Sequence, residues 1–252
     1  MSLAHFAVIF LAGMAAGTIN TVVGSGSLIT FPTLVGLGYP PLLANVSNNI
    51  GLVPGALSGV YGYRRELVGQ SARLRSLVPA SVLGALAGSS LLLVLPSTVF
   101  RKVVIGLIAI AVTLVLLQPA VSRCLAVRRK AGGRGHTEVT PALAALVCGA
   151  GVYGGYFGAA QGIILISVLG IFLDDDLQRL NAAKNVLAMT VNAVASVVFI
   201  LTTHIDWKVV ATIAVGSTIG GQIGAKVGRR LDPRLLRAVI VIVGLTALFR
   251  LL

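Results

Sequence analysis

Acidic residues are nearly missing from this sequence: seven among 252, against twenty lysines and arginines. Charged residues of either sign amount to 11%, where a soluble domain would carry about a quarter. That scarcity excludes a water-soluble globular fold. The acids are Glu66, Glu138, Asp174, Asp175, Asp176, Asp206 and Asp232, and each falls between apolar runs or at the edge of one. His5, His136 and His204 do the same. No carboxylate is left inside an apolar run to relay protons or hold a metal cation. This argues against a cation pump, a proton-driven carrier with its own acidic relay, and most routes to a membrane-embedded enzyme. Two cysteines, Cys124 and Cys148, give neither a disulfide framework nor metal spacing.

What is present is long apolar sequence. Apolar residues make up 56% of the chain and the mean hydropathy is +0.97. His5 apart, residues 3–63 carry no basic or acidic side chain, and 103–122 and 139–173 carry no Asp, Glu, Lys or Arg. Each run reaches or exceeds the roughly 20 residues that span a bilayer as helix. The net charge of +13 invites a nucleic-acid reading, but the cations cluster between apolar runs, at Arg64-Arg65, Arg73/Arg75, 123–134 and 226–237. That is the bias of cytoplasmic loops, so no nucleic-acid partner is expected. The first run is too long for a cleaved signal peptide and reads as a retained membrane helix.

Ten apolar blocks are expected, at 3–23, 26–37, 41–63, 76–95, 99–120, 141–158, 162–173, 178–201, 208–227 and 234–252. A basic cytoplasmic linker, 123–138, divides a first repeat, 1–122, from a second, 139–252, within a single membrane domain, 1–252. The halves match at an offset of 136: Gly26 with Gly162, Asn45 and Asn49 with Asn181 and Asn185, Ser81, Gly84 and Gly88 with Ser217, Gly220 and Gly224. Five blocks per half is odd, so the second repeat is inverted. Placing 64–75 inside puts 123–138 and 226–233 on the same side, as loop cations require. Both termini then lie outside the cytoplasm, in an inner-membrane, multi-pass protein. The second block of each half is short, and either crosses partly extended or forms a re-entrant hairpin with the first.

Gly24-Ser25-Gly26-Ser27 and Gly158-Ala-Ala-Gln161-Gly162 interrupt the apolar runs at matching places. Glycine frees backbone N–H groups there, and the half-helix that follows presents its positive end to an anion. Broken helices at matching places in two halves point to a transporter's binding site. Close packing of small residues is the alternative reading, and it is preferred for Gly51-x3-Gly55-x3-Gly59 and Gly220-x3-Gly224-x3-Gly228. Asn181, Lys184, Asn185 and Asn192 share a helix face, with Asn45, Asn48 and Asn49 at the twin positions of the first three. These carboxamides either line a site or hydrogen-bond between helices. Lys184 either meets the ligand or snorkels to the interface. Gly149-Ala-Gly-Val-Tyr-Gly154, with Asp174 twenty residues on, mimics a dinucleotide fingerprint. It lacks the preceding strand and βαβ unit the fingerprint needs, so no cofactor is expected.

Gly17-Thr-Ile-Asn-Thr-Val-Val-Gly24, Val46-Ser-Asn-Asn-Ile-Gly-Leu-Val-Pro-Gly55, Tyr63-Arg-Arg-Glu-Leu67 and Gly155-Tyr-Phe-Gly-Ala-Ala-Gln-Gly162 resemble the TauE/SafE sulfite-exporter family over essentially the whole chain. The resemblance implies transport of sulfite, sulfonates or related organic anions. Many members carry four glycines at the first break, where this chain has Gly24-Ser-Gly-Ser27. The expectation is an all-α polytopic membrane protein that is not an enzyme, takes a small anionic substrate in a lipid bilayer, and is compatible with a homodimer. A membrane-embedded enzyme or a scaffold without transport is the alternative.

Overall fold

The computed structural model describes residues 2–130, 139–227, 238, 240–243 and 245–246, with backbone alone at 97–99, 101–102, 121–122 and 124–130. Helices joined by turns make up the fold of these residues: α1 (Leu3–Val22), α2 (Ser27–Gly36), α3 (Pro41–Gly62), α4 (Ser71–Val94), α5 (Ser97–Lys130), α6 (Pro141–Tyr156), α7 (Gln161–Phe172), α8 (Leu177–Thr202) and α9 (Trp207–Val227). Several starts follow from local chemistry. Ser2 caps α1 by accepting from His5 N–H, and Thr140 caps α6 from Leu143 N–H. Asp176 accepts from Gln178 N–H at α8, and Asp206 from Lys208 and Val209 N–H at α9. Proline at the first position, where no N–H is needed, opens α3 and α6.

Among the described residues, four helical stretches are long and apolar enough to cross a membrane: Leu3–Val22, Ser71–Val94, Val103–Ala120 and Leu177–Thr202. Shorter apolar helices, α2, α6 and α7, lie between them. The fold is that of an all-α, polytopic membrane protein. α5 runs to Lys130, so eight residues expected in the basic linker 123–138 are helical. Leu125, Ala126 and Arg128-Arg-Lys130 are good helix formers, and the first glycines come only at 132–133. Residues 131–138, Gly228 and most of the tenth expected segment lie outside the described residues. The dinucleotide-like glycines fall inside α6, and among the described residues no strand precedes them.

Small residues set the packing. A β-carbon at Gly13 would press on Ile213, one at Gly17 would overlap the Ser217 carbonyl, and one at Gly220 would overlap that of Met14. Residue numbers rise together along this seam, so α1 and α9 run parallel with touching backbones. α3 joins them in the same sense: Gly51 meets Ile213, Gly55 meets Ser217, and Gly59 meets Thr21. Among these described glycines, the packing reading of the Gly-x3-Gly runs is what the structure shows. α4 and α6 repeat the arrangement, with Gly84 on Cys148 and Gly151, and Gly88 on Val152 and Tyr156. α8 packs against both α3 and α4.

These senses sort the helix ends onto two surfaces. The ends of α3 and α9 meet where Gly62 abuts Ala225. The starts of α4 and α8 join them through Gln70 Nε2 on the Arg179 carbonyl, 2.9 Å, and α6 starts beside α4. The starts of α1 and α9 lie at the opposite surface. Two pairs of helix starts lie 136 residues apart, Pro41 with Leu177 and Ser71 with Trp207.

Candidate functional site

Two helices stop inside the protein. α1 ends at Val22, and the chain turns at Gly24 (φ +86°) before α2 starts at Ser27. α6 ends at Tyr156, and the chain turns through Gly158 (φ +77°) and Ala160 (φ +61°) before α7 starts at Gln161. A left-handed alanine costs roughly 1–2 kcal/mol. The turn holding it is tied by the Tyr153 hydroxyl, which donates to the Ala159 carbonyl. The two turns then touch. Gly162 N–H donates to the Gly24 carbonyl at 3.0 Å, and a β-carbon on either glycine would overlap the Cα of the other. Only glycine at both positions permits this approach.

Neither α2 nor α7 has a side-chain cap at its start; instead first-turn amides turn to backbone carbonyls, Leu28 and Ile29 N–H to Ser25 and Gly26, and Gln161, Gly162 and Ile163 N–H to Gly158, Gly24 and Ala160. Two buried polar atoms stand beside them without a hydrogen-bond partner: Ser25 Oγ and Gln161 Nε2, on residues 1% and 3% exposed. Gln161 lies over Gly154, where a β-carbon would displace it. The α2–α7 contact thus joins two helix starts, a hydroxyl and a carboxamide, with no acid among them. At 1.5 Å per residue the ten residues of α2 and twelve of α7 extend about 15 and 18 Å away from it.

The carboxamides on α3 and α8 serve the other side of each break. Asn181 and Asn185 Nδ2 donate to the Thr21 carbonyl at 3.2 and 3.3 Å. Lys184 Nζ reaches Asn20 O at 3.2 Å and Thr21 O at 3.4 Å. These are last-turn carbonyls of α1, which lack helical partners and carry the negative end of the helix dipole. Asn45 does the reciprocal work, donating to Tyr156 O at the end of α6, 3.1 Å, while its own Oδ1 stays unpartnered. α8 therefore braces α1, and α3 braces α6.

The remaining expected residues are dispersed around this centre. Asn48 accepts from the Thr30 hydroxyl of α2, and Asn49 Oδ1 accepts from Ser196 Oγ of α8 at 3.0 Å. Asn192 is buried further along α8. Ser27 opens α2, and Gly26 precedes it packed on the Ala16 carbonyl. Twin positions do not bond to one another: Asn48 turns to Thr30, and Lys184 to the end of α1. Lys184 is 1% exposed and its ammonium faces carbonyls, so it does not snorkel. Thr30, Ser196 and the carbonyls of Asn20, Thr21 and Tyr156 carry no mark in the sequence. A backbone oxygen becomes special only when a helix ends in the interior.

At the surface where α4 and α8 start, Asp175 holds Arg73 at 2.7 Å and Arg179 at 2.8 Å. Arg179 also donates to the Val68 carbonyl at 2.9 Å. Burial alone would raise the Asp175 pKa, but the Arg73 hydrogen bond, the Asp176 amide and both guanidinium charges outweigh it and hold it below the usual carboxylate value. At the opposite surface Tyr39 stands at the twin position of Asp175. Burial first, and then the Asp206 charge, push its hydroxyl pKa up.

Membrane-length helices interrupted at two matching turns, with buried amides bracing the broken ends, define a multi-pass membrane protein built around an internal polar centre. The family described as Sulfite exporter TauE/SafE matches residues 9–251, and the chain belongs to it. Its relatives include a probable membrane transporter protein, YfcA, of Escherichia coli strain K12. That protein is 28% identical over 238 residues, covering 94% of this chain and 86% of its own. A probable membrane transporter protein of Haemophilus influenzae is 27% identical, with coverage of 94% and 91%. A third, ORF9 of a Sinorhizobium species, is 26% identical over 252 residues, with coverage of 98% and 92%.

Proposed function

We propose that the protein is a secondary transporter of small anions, with sulfite, sulfonates and related organic anions as the substrate class. The observation that carries this is the meeting of two uncapped helix starts at Gly24 and Gly162, beside the unpartnered Ser25 Oγ and Gln161 Nε2. The positive ends of two helices, an unpartnered hydroxyl and an unpartnered carboxamide, with no acid beside them, suit an oxyanion. A sulfonate or sulfite offers three acceptor oxygens on one sulfur, so it can engage both breaks at once. The names of the relatives support transport as the activity.

Alternating access is the mechanism proposed, with two inverted repeats rocking about this contact. Three observations support it: the 136-residue spacing of two pairs of helix starts, the repetition of the α1–α9 seam by α6 and α4, and the reciprocal braces from Asn45 and Asn181. The Gly24–Gly162 contact is then the hinge of the substrate path, which parts to admit the anion and closes behind it.

The test is flux of labelled sulfite, methanesulfonate and sulfoacetate into proteoliposomes. Gln161→Glu keeps the shape of Gln161 but replaces the donors with a negative charge, and should abolish anion uptake. Ser25→Ala removes one donor and should weaken uptake about tenfold or more, the usual worth of a hydrogen bond to a charged group. Sodium and calcium should not be carried. Vesicles that take up none of the anions, or a Gln161→Glu variant as active as the parent, would sink the proposal.

A further inference from the structure

The first glycine of α1 is Gly13 and the first of α9 is Gly216. Ahead of them the two helices line a groove of about 680 Å³, the size of an ordinary ligand site. Leu3, Phe6 and Phe10 of α1 and Ala211 and Val215 of α9 form its walls, and Lys208 stands at its mouth.

We propose that this groove is a phospholipid site, holding one acyl chain along Phe6 and Phe10 with the phosphodiester at Lys208. The walls face hydrocarbon: Phe6 is 46% and Val215 57% exposed, in a helix pair of a membrane-spanning fold. The mouth is where a headgroup belongs, because the adjacent Trp207 is 58% exposed at the first position of α9 and exposed tryptophan marks the membrane–water interface. Lys208 has no ion pair among the described residues. The nearest acid in sequence, Asp206, uses its Oδ1 to cap the amides of Lys208 and Val209. A cation in the first turn gains nothing from its own helix, whose positive end lies there. An ammonium so placed, over an apolar trough, complements a phosphate attached to an acyl chain. The arrangement is peculiar to this seam. At the positions 136 residues away, α4 has Ala72 and Pro79 where α9 has Lys208 and Val215, and α6 has Ala142 and Leu146 in place of the two phenylalanines.

The test is native mass spectrometry of the full chain in mild detergent, titrated with dioleoylphosphatidylglycerol and, in parallel, with dioleoylglycerol, which lacks the phosphate. One phosphatidylglycerol per chain should be retained, and dioleoylglycerol at least about tenfold more weakly. Lys208→Ala should reduce phosphatidylglycerol retention about tenfold, and Phe6→Ala should reduce retention of both lipids. Lys226→Ala, at the other end of α9, should change neither. Both tested side chains are exposed, so melting temperatures measured without lipid should match the parent's. Equal phosphatidylglycerol retention by parent and Lys208→Ala would overturn the proposal. So would a dimer that crosslinks through cysteines placed at Phe6 and retains no lipid, which would make a second copy of the chain the occupant.

Discussion

Lys184 shows how one residue can be ionic and structural at once. Its ammonium lies on the carbonyls of Asn20 and Thr21, where the end of α1 favours a cation. Thr21 O also has Asn181 and Asn185, whereas Asn20 O has no other side-chain donor among the described residues. Lys184→Leu should therefore cost about 1–3 kcal/mol, the penalty of a buried acceptor left unpaired, and lower the melting temperature. Lys184→Gln keeps a donor and should melt close to the parent. If the ammonium is also felt by the anion, Lys184→Gln will bind sulfite about ten- to a hundredfold more weakly by calorimetry, while Asn45→Leu will impair transport less than Asn185→Leu. Unchanged affinity would confine the lysine to bracing α1.

Between elements, the two surfaces are closed by different chemistry. Asp175 ties the α7–α8 turn to Arg73 of α4 and Arg179 of α8, whereas its twin, Tyr39, carries no charge at neutral pH. The folded Asp175 pKa lies below its ordinary 3.8, so the stabilisation it gives is complete above that value and disappears as pH falls through the depressed one. The melting-temperature difference between the parent and Asp175→Asn should hold steady from about pH 7 to about pH 5 and narrow only below the ordinary carboxylate range. A difference already shrinking near neutrality would mean that another group carries the linkage. The clamp also joins the loop of one half to the first turn of α8, so its removal should make cysteines placed near Val68 more reactive.

At the scale of the molecule, the ends of α3 and α9 and the starts of α4, α6 and α8 share a surface, and the cation-rich stretches 64–75, 123–138 and 226–237 adjoin it in sequence. Loop cations favour the cytoplasm, so a cysteine in 64–70 should be labelled only from inside the cell and one beside Trp207 only from outside. The reverse pattern would invert the orientation. Most of the architecture was legible: glycine, proline and aspartate punctuation placed α1, α2, α7 and α8 within a residue or two, and the Gly-x3-Gly runs marked the seams. The end of α5 was not, because arginine and lysine suit a helix as well as a linker. Which seam pairs with which was not either, since a glycine does not name the backbone it touches. The breaks were visible as Gly24 and Gly162, but their contact was not. The braces were hidden for a different reason, that their acceptors are main-chain carbonyls, which every residue has.

Those braces have a bearing on ancestry. Asn45 completes the broken helix of the second half and Asn181 that of the first, so neither half on its own supplies the partner its interrupted helix needs. A chain half as long could close both bonds only by joining a copy of itself, each copy lending one asparagine to the other. Two such units within one chain are under no obligation to stay identical. Lysine at 184 with asparagine at the matching position 48 is a difference that a pair of identical chains could not carry, because the change would appear twice.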